Sequence, residues 1–151
     1  THLVWHTSRA DLFWRHTWFA DRSLRTAARL RWRDIVDNGA GHDDASTWEV
    51  RLDAAWQAGP WSVEALASYA EPRYRFQRPV IAEPIERAQE QLYLDLRVAR
   101  EFGTHWRLQA SLSYDQLLSN KAGEDFRQTV VSVRLARLLG NSRLNPQEAA
   151  P

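Results

Sequence analysis

Six stretches of this chain alternate apolar and polar residues one by one, and that period of two limits what it can fold into. In SLRTAARLRWR, Leu24, Thr26, Ala28, Leu30 and Trp32 take one side; Arg25, Ala27, Arg29, Arg31 and Arg33 take the other. A helix would bring Arg25, Arg29 and Trp32 onto one face and mix the sets. An extended strand separates them, because successive side chains point to opposite sides. TWEVRLDAAWQAG sets Trp48, Val50, Leu52, Ala54 and Trp56 against Glu49, Arg51, Asp53, Ala55 and Gln57. WSVEALASYA sets Trp61, Val63, Ala65, Ala67 and Tyr69 against Ser62, Glu64, Leu66 and Ser68. The same division runs through QLYLDLRVA, HWRLQASLSYD and QTVVSVRLA, with Asp95, Arg97, Arg107 and Arg134 on the polar side.

Helical cues exist too. Ser46 and Glu49 have capping-box spacing, and Ile85, Ala88, Leu92, Leu96 and Ala99 could line a helix before Gly103. A pattern repeated over six segments outweighs them. Short turns at Ala20–Ser23, QAGPW and EFGTH alternate with longer polar stretches at 34–47, 71–91 and 116–127. The expected fold is therefore all-β: an antiparallel up-and-down barrel of about eight strands, or part of a larger one. Strands are expected near 2–8, 11–20, 23–33, 47–58, 61–70, 91–102, 105–116 and 126–139. Residues 1–140 form the barrel domain and 141–151 a polar tail, with both termini at the short-turn end.

Such a barrel can put its apolar residues inside, around a core or an apolar ligand, or outside, against lipid. Trp48 and Trp56, Trp61 and Tyr69, and Trp106 and Tyr114 each bound an aliphatic run on the apolar side, eight residues apart. Eight steps of a strand span roughly 26 Å. Aromatic rings at both ends of a lipid-facing strip favour the headgroup boundary. On that reading these six and Trp32 form membrane girdles. The lumen is then lined by Arg25, Arg29, Arg31, Arg33, Glu49, Arg51, Asp53, Glu64, Asp95, Arg97, Arg107 and Arg134. Glu49 and Asp53 are the expected partners of the Arg25–Arg33 row. Two acids cannot neutralise four arginines, so a cationic wall follows.

All but one of the 20 basic residues are arginine, the cation suited to crowded ion pairing. A net charge of +1 gives no global field for nucleic acid. No cysteine is present, which removes disulfides, thiolate metal sites and cysteine nucleophiles. Without a methionine the chain reads as a processed or excised piece, and no apolar run is long enough for a transmembrane helix. The five histidines have no metal-site spacing; His42, Asp43 and Asp44 read as a solvated loop. His105, Ser113 and Asp115 share a strand face, but His105 and Ser113 are too far apart to act together. No catalytic, cofactor or metal site is expected.

The dyad strands, paired aromatic ends and alternating turn lengths over residues 2–139 resemble Gram-negative outer-membrane β-barrels. The last hairpin, HWRLQASLSYDQLLSNKAGEDFRQTVVSVRLARLL, is similar in layout to the closing hairpin of exopolysaccharide-export barrels. The resemblance implies an outer-membrane location, lipid as a partner, and a pore or export channel for polar or anionic solutes such as a polysaccharide. The alternatives are a closed structural barrel that displays loops and a soluble barrel. Such barrels finish on an aromatic residue, whereas here the tail GNSRLNPQEAAP follows the last strand. Eight strands leave little lumen, so a pore requires other chains or segments that complete a wider barrel.

Overall fold

The computed structural model describes residues 5–37, 44–74, 87–103, 105–121 and 123–137. They form one antiparallel sheet of seven strands in sequence order: β1 (Trp5–Trp18), β2 (Leu24–Asp37), β3 (Ala45–Ala58), β4 (Trp61–Tyr74), β5 (Arg87–Phe102), β6 (Trp106–Ser119) and β7 (Phe126–Arg137). No helix occurs among the described residues.

Against an expected count of about eight, the described residues form seven strands. The described part of 2–8 and most of 11–20 belong to one strand, β1, paired to β2 without interruption from Trp5↔Asp37 to Trp18↔Leu24. Arg9 and Ala10 fell between the two expected strands. The ladder carries them through, because backbone pairing does not require alternation in the side chains. The strands also run further than the apolar pattern at one end. Asp34–Asp37, Ala45 and Ser46, Glu71–Tyr74 and Arg87–Glu90 are polar strand extensions, not loop. Pro72 lies in one of them. It has no N–H to give, the ladder to β5 skips it, and the register resumes unshifted at Arg73↔Ala88.

With seven strands, β1 and β7 run the same way. β1 starts at the long-loop end and β7 finishes at the short-turn end, where Arg137 pairs Trp106. The two ends of the described sheet are therefore not both on the short-turn side. β1 pairs only β2 and β7 only β6, and the sheet is not closed.

The sheet has no apolar core. The buried apolar residues among those described are Ala45 and Ala99, and no large side chain is fully buried. Leu12 and Val131 are 71% exposed, and Leu52 and Trp48 53%. By contrast the side chain of Asp95 is only 12% exposed and that of Arg31 21%. The sheet rolls so that its charged face is concave. One cavity of about 410 Å³ on that face is lined from β2 to β6, by Arg33, Glu49, Ser68, Tyr93 and Asp115.

The short β3–β4 connection turns at Gly59, whose φ is 54°. A Cβ there would meet nothing within 4 Å, so only the backbone objects to a side chain. Gly59→Ala should cost about 1–2 kcal/mol, read as a lower urea midpoint.

Candidate functional site: the concave charged face

The register fixes which side chains share the concave face. Arg31 stands opposite Asp11 on β1 and Glu49 on β3. Asp53 lies opposite Ala27, Arg51 opposite Ser68, and Glu64 opposite Arg97. Arg97 in turn pairs Ser111, and Gln109 pairs Arg134. All twelve charged residues singled out from the sequence therefore occupy one face. The seven aromatic residues occupy the other. There Trp32, Trp48, Tyr69 and Tyr114 form a row toward the long loops, and Trp56, Trp61 and Trp106 one toward the short turns. Trp32 and Trp48 face each other across β2 and β3 with ring centroids 6.4 Å apart.

The charges are arranged differently from the simple expectation. Arg31 bridges two strands: its Nε donates to Asp11 Oδ1 at 2.8 Å and its Nη1 to Glu49 Oε2 at 3.2 Å. Arg29 Nη2 lies 3.7 Å from Glu49 Oε1. Arg9 also holds Asp11. Asp53 does not serve the β2 row. It accepts from Arg51 of its own strand, with both Nε and Nη2 donating at 2.9–3.1 Å. Arg97 and Asp95 pair likewise within β5 at 2.8 Å. The cause is local. Residues two apart on a strand share a face at about 6.6–7 Å, which a folded-back arginine closes. The missed acid, Asp11, sits in a strand with aromatics on both faces, Phe13 and Trp14, which hid its orientation. Its spacing of two from Arg9 was the available signal.

Arg25, Arg33, Arg107 and Arg134 have no carboxylate partner among the described residues. Arg107 reaches over β5 to Ser62 of β4, donating from Nη2 at 3.5 Å. With Arg22 and Arg25 it lines a cavity of about 120 Å³ at the short-turn end, beside Glu64 and Glu101. Arg29 Nε and Arg107 Nε are enclosed and have no acceptor among the described residues. A concave wall with ion-paired centre and unpaired guanidiniums toward its ends can attract anions and exchange hydrogen bonds with polar solutes.

At the long-loop end Glu124 ties the turn after β6 to β5. It lies 3.0 Å from Lys121 Nζ, accepts from Ser119 Oγ at 3.2 Å, and pairs with Arg87. The Lys121 contact, followed by Ser119 and the charge of Arg87, holds its carboxyl below the usual range. Next to it Asn120 exchanges hydrogen bonds with Ala88, giving its N–H at 3.1 Å and accepting at 3.0 Å.

Of the long stretch 71–91, Arg73 and Tyr74 lie in β4; Arg75, Phe76 and Arg78 are outside the described residues, as are His2, His42, Asp43 and the tail 141–151. No three His, Asp or Glu come together in a way that could hold a metal ion among the described residues. No family model, curated protein or solved structure matches this chain.

Arg31→Gln removes the bridge between β1 and β3 and leaves Asp11 with Arg9 and Glu49 with Arg29 alone. It should lower stability by about 1–3 kcal/mol, whereas Arg25→Gln should stay within about 0.5 kcal/mol; urea unfolding measures both. Glu124 behaves as a carboxylate with a depressed pKa. Its stabilisation is complete above the ordinary carboxylate range and is lost as pH falls through the lowered value. Protection of the Asn120 amide from hydrogen exchange should fall over that acidic window, and Glu124→Gln should abolish the pH dependence.

Proposed function

We propose that this sheet is part of the wall of a bacterial outer-membrane β-barrel. Its apolar face lies against lipid, and its charged face lines a water-filled passage for polar or anionic solutes. The observation that carries this is the inversion of exposure: Leu12, Leu52, Leu112, Val131 and Val133 project outward uncovered, while Asp11, Asp95, Arg31 and Glu49 are sheltered on the concave side. A sheet folded in water would shelter the aliphatic set instead. Hydrocarbon is a suitable solvent for that set, and the aromatic rows suit the depth of the headgroups.

A bilayer also requires that no strand edge stay unpaired. β1 and β7 each carry a free edge here, and they run parallel to one another. An all-antiparallel closure therefore needs an odd number of further strands, from the same polypeptide or from other chains. Added strands also widen the lumen beyond what seven can enclose, which suits a passage better than a filled plug.

Arg25 and Arg33 are the arginines to test for solute preference, because nothing else in the described sheet depends on their charge. The chain should require detergent or lipid to stay monomeric, and once inserted in a planar bilayer it should give discrete conductance steps that favour anions. Replacing both arginines with glutamine should lower the anion-to-cation permeability ratio while leaving insertion unchanged. A silent barrel that inserts normally would assign the face to packing rather than transport. A chain that remains monomeric in plain buffer would remove the membrane reading altogether.

A further inference from the structure

The outer, apolar face ends differently at its two ends. Toward the short turns, two guanidiniums lie on the aromatic row. The Arg100 carbon is 5.0 Å from the Trp61 ring centre and 4.9 Å from that of Phe102, and the Arg137 carbon is 5.9 Å from that of Trp106. The register makes this one continuous feature. Arg100 stands opposite Trp61, and Trp106 stands between Phe102 and Arg137, so rings and cations alternate across β4, β5, β6 and β7. Neither arginine has a carboxylate partner among the described residues. The other strand positions at this end of the face are Trp18, Leu24, Trp56 and Ala58, with no acid among them. At the long-loop end the same face carries Asp34, Glu71 and Glu90 beside Arg73 and Arg127.

A guanidinium stacked on a ring is held in place yet keeps the N–H edge of its fork free, and that fork matches phosphate oxygens. Tryptophan rings at a membrane boundary sit at the depth of the lipid phosphates. Glu101, between Arg100 and Phe102, points to the concave face, so two such cations give the row on the outer face a net positive charge at one end only.

We propose that Arg100 and Arg137 dock anionic glycerophospholipid headgroups of the leaflet at the short-turn end. The site rests on the membrane reading above and adds a lipid preference and an orientation to it. A zwitterionic headgroup carries its own ammonium against the phosphate and competes with the arginines. An anionic headgroup does not, and the charge at the surface draws the arginines toward it.

The test compares insertion of the chain into phosphatidylcholine vesicles with insertion into vesicles that also contain phosphatidylglycerol of the same acyl chains, followed by tryptophan emission. Phosphatidylglycerol should raise the partition coefficient, with a contribution of roughly fivefold from each arginine. Arg100→Gln with Arg137→Gln should insert into phosphatidylcholine as the unmodified chain does and lose that gain. If the double variant inserts poorly in phosphatidylcholine, Arg137→Gln alone, at the last residue of an edge strand, should lose one fivefold step. A gain that persists in these variants, or no gain in the unmodified chain, overturns the proposal while leaving the membrane reading intact. Failure to insert into either vesicle overturns both.

Discussion

Everything in this sheet depends on register. Side chains alternate between faces with a period of two, so a slip of one residue in any strand pairing would carry that strand's charges to the outer side. The six pairings hold the same parity from β1 to β7. That is why twelve charged residues scattered over more than a hundred positions arrive on one concave surface. It is also why Pro72 is tolerated: it interrupts the ladder without changing the parity on either side.

Charge on the concave face is handled both within strands and across them. Arg9 with Asp11, Arg51 with Asp53, and Arg97 with Asp95 are pairs two residues apart, made as soon as the strand extends. Arg31 is different, because it links Asp11 and Glu49 over three strands and so ties their registers together. Pairs within a strand lower the charge of the wall without fixing its geometry. A bridge across strands does both. The result is a neutralised centre, with guanidiniums such as Arg25 and Arg107 left toward one rim without a carboxylate partner among the described residues.

The outer face is organised by the opposite need. With Ala45 and Ala99 as its buried apolar residues, the sheet has almost no interior in which to gain hydrophobic stabilisation. Its fold therefore leans on its surroundings, and on the proposed reading lipid takes the place of the missing core. Aromatic residues mark both ends of the aliphatic strip, and cations stacked on the lower row distinguish one end from the other. Inner and outer faces are consequently separate systems: Arg25 and Arg33 lie on one and Arg100 and Arg137 on the other, so substitutions on one face leave the other's side-chain contacts in place.

The sequence by itself determined the strand class and the two faces, since both follow from a period of two that needs no distant contact to be read. Arg25, Glu49, Arg97 and Trp106 could each be assigned a side from their immediate neighbours. The merging of 2–8 and 11–20 into β1 was not legible, because Phe13 and Trp14 blur the alternation and only the partner strand β2 shows that pairing continues. The polar extensions around Asp34 and Glu71 were hidden for the same reason: hydrogen bonds between backbones leave no mark on side-chain polarity. The tertiary structure alone decided that Asp53 serves Arg51, that Asp11 joins Glu49 at Arg31, and that Arg100 rests on Trp61. Those partnerships depend on which residues the cross-strand register brings within reach, and register is a relation between segments that no single segment contains.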